Sequence, residues 1–242
     1  MEKSRQNRPS LSLPFLTLTV LFVVCIIIAN LVEIKTVSLG PVTVTAGLAV
    51  FPLSYIINDC IVEVYGFQRA RLAIWLGFAM SLLAAVMLNI ALWLPGGPEW
   101  HSQEAMEAIY GSVPRIMLAS FAAFICGSMV NAYVMSRMKR SATASQATPS
   151  GATWRFSLRA IVSTLWGEGT DSLIFFPIAF GGALPVSTII SLIISQALLK
   201  TLYEIMVLPV TVAVVKRLKR IEGGEITDTS STNYSWWRLT DI

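Results

Sequence analysis

The sequence predicts an all-α membrane protein of six transmembrane helices with both termini in the cytoplasm. Three observations carry that expectation. The 242 residues are 55% hydrophobic and 13% charged, about half the charged share of an average soluble domain, and the mean hydropathy is +0.66. Apolar runs of roughly twenty residues recur along the chain, longer than ordinary core helices. The basic residues stand at the ends of those runs, where membrane topology is set. The net charge of +4 is therefore no signal for nucleic acid.

A short basic tail, residues 1–10, precedes the first span at about 11–32. This run is too long for a signal-peptide core and lacks a clear small-residue cleavage site, so it is expected to stay as an anchor. It ends with Asn30, Glu33 and Lys35. A turn at Gly40-Pro41 leads to the second span, about 44–65, with Arg69 and Arg71 beyond it. The third span, about 72–94, stops at the breaker Pro95-Gly96-Gly97-Pro98. The polar loop EWHSQEAMEAIYGS that follows has room for one short surface helix.

The fourth span, about 115–138, carries Ala119, Ala123, Gly127 and Asn131 at four-residue spacing, a small-residue stripe suited to close helix packing. Gly77, Ser81 and Ala85 form a similar seam on the third. A Ser/Thr/Ala-rich connector at 141–153 reads as flexible. The fifth span, about 156–180, is expected to be interrupted by Gly167-Glu168-Gly169, which could unwind and offer backbone groups to a ligand. After the tight turn Gly181 to Pro185 comes the sixth span, about 186–215, longer than a bilayer needs, so it must tilt or bend near Pro209. Residues 1–222 thus form one six-helix domain, and 223–242 a polar, mobile tail.

With the N-terminus inside, 15 of the 18 basic residues fall on one side. Lys35 and Arg115 fall at the opposite ends, and Lys200 lies within a span. That asymmetry is what the positive-inside rule predicts for two cytoplasmic termini. Cys25, Cys60 and Cys126 all lie in apolar segments without metal-ligand spacing and read as packing residues.

The candidate functional residues are polar groups inside the spans. Phe51 to Gly66 carries Asp59 and Glu63, four residues apart and so on one helical face. An Asp at the centre of a membrane helix costs roughly 2.5 to 3.5 kcal/mol on insertion scales, which a chain accepts where the group meets a partner or a watery cavity. Glu168 and Asp171 share a face of the fifth span, and Gln196, Lys200 and Glu204 form a stripe on the sixth. Asn30 lies near the outer end of the first. Structural ion pairs would account for one of these groups through Lys200. Five acids against that one lysine cannot all be paired, so some must be protonated or face water and ligand. Such a cavity suits a small, flat ligand with donors and acceptors. A guanine-like edge offers an N–H and an amine that one carboxylate accepts together, and its carbonyl takes a donor such as Lys200, Gln196 or Asn30. Phe51, Tyr55, Trp166, Phe175, Phe176 and Tyr203 are available to stack on its faces. A cationic amine would need only the acids.

Four stretches in order resemble one family, the queuosine-precursor transporters, formerly grouped as vitamin uptake transporters. They are Asn30 with Lys35, FPLSYIINDCIVEVYG at 51–66, GEGTDSLIFFPIAF at 167–180, and KTLYEIMVLP at 200–209. The resemblance covers nearly all the hydrophobic chain; the 141–153 connector is long for the family and the tail after Glu222 lies outside its pattern. It implies uptake of a 7-deazaguanine base, chiefly 7-cyano-7-deazaguanine, across the bacterial inner membrane for salvage into transfer-RNA queuosine. The implied partners are that base and the lipid bilayer, with no cofactor, metal or nucleic acid, and the oligomeric state is left open.

Two other classes compete. A substrate-binding subunit of an energy-coupling-factor importer also has six helices, but its partner-docking stripe of small residues is missing from the first span, LTLTVLFVVCIIIAN. An intramembrane enzyme would need a catalytic pair, and the only histidine, His101, stands in a loop. The acidic pairs DCIVE and EGTD point to two related three-helix halves of inverted orientation.

Overall fold

The computed structural model describes residues 12–40, 42–142 and 149–223. The first helix, α1, runs Leu13–Val32. Ser12 opens it by accepting a hydrogen bond from the Phe15 amide at 3.3 Å, and Pro14 sits in the first turn, where its missing N–H leaves no bond unmade.

The chain then departs from the helical expectation. TVSL and VTVT pair as an antiparallel hairpin, β1 (Thr36–Leu39) against β2 (Val42–Thr45), with Leu39 opposite Val42. β-branched residues favour extended backbone. Gly40, at φ 64°, takes the left-handed turn conformation. A short 3-10 turn, Ala46–Ala49, follows. The helix begins only at Phe51, seven residues after the expected start of the second span near 44.

That helix, α2 (Phe51–Trp93), is two arms joined at Gly66, whose φ of 81° and ψ of 170° are not helical. Only glycine occupies that region without strain. The arm 51–65 rises about 22 Å at 1.5 Å per residue, short of a 30 Å hydrocarbon core. The hairpin and the 3-10 turn precede it in the chain. The expected surface helix is present as α3 (Gln103–Tyr110).

Three longer helices complete the chain: α4 (Val113–Ala142), α5 (Pro149–Phe180) and α6 (Val186–Ile221). α4 and α5 extend into the expected connector, leaving 143–148 outside the described residues, as are the basic 1–10 tail and nearly all of the 223–242 tail. Among the described residues, four stretches are long and apolar enough to cross a membrane: Leu13–Val32, Gln68–Trp93, Gln103–Asn131 and Val186–Ile221.

Three apolar clusters hold the helices among the described residues, the smallest joining Ala85 of α2 to Val113 and Met117 of α4; the other two are larger. In one, Phe15, Phe22 and Ile26 of α1 pack on Ile61, Val64, Ala73 and Phe78 of α2, with Phe124 of α4 added. The Gly77 seam meets α1 here, since a Cβ on Gly77 would lie 3.1 Å from the Phe22 ring. In the other, Ala119 and Ala123 of α4 pack with Phe176, Ala179 and Phe180 of α5 and Leu192 of α6. α4 and α5 make the most extensive helix pair. Their approach uses Gly127 and Gly167: a Cβ on Gly167 would sit 2.9 Å from the Asn131 Cβ, and one on Gly127 2.9 Å from the Gly167 carbonyl. Gly167-Glu168-Gly169 therefore does not interrupt the fifth helix. α5 is continuous through it, and at Gly167 the missing side chain makes room for α4.

Candidate functional site

Lys200 of α6 is the centre of the polar interior. Its side chain is 11% exposed, and its ammonium lies 2.9 Å from Asp171 Oδ2 and 3.3 Å from Glu168 Oε2. It also stands 4.4 Å from the centroid of the Phe51 ring, a cation–π distance. Glu168 and Asp171, one helical turn apart on the shared face of α5 that their spacing predicted, both converge on this one cation. Two acids thus share one lysine in a buried place, where charge is costly unless paired or wetted.

On the hairpin side of Lys200 lies a narrow cleft with a cavity volume of about 10 Å³, room for about one water as it stands. Asn30 of α1, Gly47 and Leu48 of the 3-10 turn, Phe51, Ser120 of α4, Phe175 and Gln196 line it together with Lys200, Asp171 and Glu33. Glu33, the residue that caps α1, is buried, and its Oε1 accepts a 2.6 Å hydrogen bond from the Thr45 hydroxyl at the end of β2. Thr45 in turn accepts from Gln196 Nε2. One residue earlier on α6, the Ser195 hydroxyl donates to the Thr43 carbonyl at 2.7 Å. The hairpin is therefore bonded into the helix bundle through its second strand, which suits non-helical backbone in a membrane protein, where unpaired backbone groups cannot face lipid.

Three polar atoms of this cleft are buried without a hydrogen-bond partner: Asn30 Nδ2, Ser120 Oγ and Gln196 Oε1. Buried polar groups are nearly always bonded, so these three leave open hydrogen-bonding capacity gathered round one cavity.

On the other side of Lys200 a second cleft, with a cavity volume of about 40 Å³, is lined by Tyr55, Asp59, Asn131, Thr164, Glu168 and Glu204, among others. Asp59 is exposed to it, and Thr164 donates to Glu204 Oε1 at 3.0 Å. A small gap lined by Pro52, Tyr55, Glu168, Lys200 and Glu204 lies between the clefts. Polar groups thus run through the bundle from Asn30 to Asp59, with Lys200 in the middle.

Of the residues expected from sequence, Asn30, Asp59, Glu168, Asp171, Gln196, Lys200 and Glu204 all line this path. Glu63 does not. It lies on the outside of the bundle near the end of the first α2 arm, paired with Lys219 at 2.5 Å, its side chain 59% exposed. Asp59 and Glu63 share a helical face, but the extra turn carries Glu63 past the cavity. Among the aromatics, Phe51, Tyr55 and Phe175 reach the clefts, Phe176 belongs to the apolar core, and Trp166 is 61% exposed. Glu33, Thr45 and Ser120 were not foreseen. The signal for Glu33 was its position one helical turn after Asn30.

Residues 45–214 match the family described as "Putative vitamin uptake transporter". The chain is 33% identical over 195 residues to the "Probable queuosine precursor transporter" of Bacillus subtilis, covering 80% of this chain and 81% of that protein. It is 28% identical to the "Queuosine precursor transporter" of Escherichia coli over 136 residues, 56% of this chain and 55% of the relative. A "Probable queuosine precursor transporter" of Haemophilus influenzae is 26% identical over a similar stretch, 52% of its length. No solved structure matches. By the extent of the family match and its several apolar helices, the chain belongs to the vitamin uptake transporter family of multi-pass membrane proteins.

Proposed function

We propose that this protein imports queuosine precursors, chiefly 7-cyano-7-deazaguanine, across the bacterial inner membrane. The observation that carries this reading is the cleft beside the hairpin, the outer of the two in this reading, whose buried walls present a free amide donor on Asn30, a free amide acceptor on Gln196 and the Lys200–Asp171–Glu168 cluster. A flat heterocycle with donors on one edge and a carbonyl beside them complements such walls. The names of the relatives support the same substrate class.

In this reading six crossings place both termini in the cytoplasm. The hairpin, the 3-10 turn and the 51–65 arm together make the second. The base enters the outer cleft, stacks near Phe51 and Phe175, passes Lys200 and leaves through the inner cleft past Asp59 and Glu204.

The test is restoration of queuosine in transfer RNA. The host lacks both precursor synthesis and its own transporter, is fed 7-cyano-7-deazaguanine, and expresses this chain alone. Restored queuosine supports import without a dedicated energising partner. Failure despite good membrane expression overturns the reading in favour of another ligand or of a subunit that needs an ATP-driven partner.

A further inference from the structure

We propose that Glu33 is the carboxylate that reads the N–H edge of the transported base, with Asn30 and Gln196 completing the recognition. The assignment rests on the transport reading above and sharpens it.

The acids of α5 are already engaged. Asp171 and Glu168 both face the ammonium of Lys200, at 2.9 and 3.3 Å, so a neutral base would have to compete with a cation for them. Glu33 has no such cation within ion-pair distance among the described residues. Its Oε1 is held by Thr45, and its Oε2 lines the space beside Gly47. A Cβ added at Gly47 would run into Glu33 Oε2 and lie 2.8 Å from Glu33 Cδ. The glycine reserves the seat of that carboxylate, and the hydroxyl fixes how it is turned.

The same relay settles which way the Gln196 amide points. An ionised carboxylate only accepts, so the Thr45 hydrogen goes to Glu33, and Thr45 can then only accept from α6. Gln196 must offer its NH₂ to Thr45, which leaves Oε1 free, and that atom is the one buried without a partner in the cleft. Asn30 stands one turn before Glu33 on the same side of α1, and its Nδ2 is likewise buried and unpartnered. The cleft thus offers a carboxylate, a lone donor and a lone acceptor, with Phe51 and Phe175 also in its lining.

A 2-amino-6-oxo purine-like edge fits that set. Its ring N–H and 2-amino group donate to Glu33, its 6-oxo group accepts from Asn30, and a further ring N–H donates to Gln196. An adenine-like edge lacks the ring N–H and the carbonyl and would leave Glu33 and Asn30 unpaired. Sites that must hydrogen-bond a substrate reject analogues lacking the group far more strongly than apolar pockets do.

The test uses the full chain in lipid nanodiscs and radiolabelled 7-cyano-7-deazaguanine, with the analogue lacking the 2-amino group as competitor. Wild-type protein should prefer the parent base by roughly ten- to a hundredfold, the range for a hydrogen bond to a charged group. Glu33→Gln should weaken binding of the parent base and narrow that preference to about threefold, since an amide cannot accept both hydrogens. Thr45→Val, which keeps the carboxylate but frees it to turn, should narrow the preference in part and serves if Glu33→Gln does not fold. Wild-type binding with the preference intact in both variants, or a preference lost only in Asp171→Asn, overturns the assignment and leaves the transport reading standing. Wild-type protein that binds no deazaguanine overturns both.

Discussion

Replacing Lys200 with Met removes the only cation of the central cluster while keeping the length of the aliphatic stem. At an effective dielectric constant near 20, contacts of 2.9 and 3.3 Å correspond to gross attractions of about 6 and about 5 kcal/mol. Desolvation of three buried ions offsets much of that, and removing one partner of a buried ion pair typically costs about 3 to 5 kcal/mol. The loss arises because Asp171 and Glu168, with side chains 5% and 6% exposed, are left facing each other. The expected outcome is therefore a folded-to-unfolded ratio at least a hundredfold lower in a denaturant titration of detergent-solubilised protein. The triple variant Lys200→Met, Asp171→Asn, Glu168→Gln should recover most of the stability, because the uncompensated charge is gone. It should not recover uptake, because the charges that the cleft presents are gone too. A single variant as stable as wild type would refute the central role of the cluster. A triple variant no more stable than the single one would refute the charge argument and point to packing of the lysine stem.

Two further outcomes probe other parts of the structure. Gly66→Ala forces a side chain into φ 81°, ψ 170° and should lower stability by about 1 to 3 kcal/mol; a melting curve that overlays wild type would mean that the two arms of α2 can be joined in another way. Glu63→Gln breaks only a solvent-exposed pair with Lys219; it should cost less than about 1 kcal/mol and leave uptake at the wild-type rate, and a transport defect would return Glu63 to the pathway.

Much of the fold was legible because long apolar helices announce themselves. The first span was expected at 11–32 and α1 is Leu13–Val32; the sixth was expected to start at 186, as it does. The hairpin was less legible because Thr-Val-Ser-Leu and Val-Thr-Val-Thr are as apolar as the start of a helix. Its strand signal, alternation about a Gly-Pro turn, is only ten residues long. Gly167-Glu168-Gly169 was misjudged for a different reason: glycine spacing reads alike whether it loosens a helix or lets a neighbour approach, and only the position of α4 decides.

The candidate site was legible where charge alone marks it. Lys200 with Glu168 and Asp171 stood out because ionised groups are rare inside spans. Glu63 misled because helical periodicity fixes a face and not a depth. It lies twelve residues beyond Phe51, about 18 Å along the axis. Thr45 and Gly47 carry no charge, and their value appears only once the chain has folded Glu33 against them.

The attachments of α6 restrict its motion to some directions and not others. Almost none of its most apolar stretch is buried, so most of its circumference is free to meet lipid while one narrow face carries Gln196, Lys200 and Glu204. That face is fastened at successive levels, to the hairpin through Ser195 and Gln196, to α5 through Lys200 and Glu204, and to the α2 kink, where Tyr65 donates to Glu222 at 2.9 Å just past the helix end. A roll of one residue, about 100°, would break these bonds together and turn a lysine toward hydrocarbon, at roughly 2.5 to 3.5 kcal/mol for the charge alone. Swinging about the Lys200 level breaks the end fastenings first and keeps the charge inside. The helix is a lever with one pivot, able to rock but not to spin.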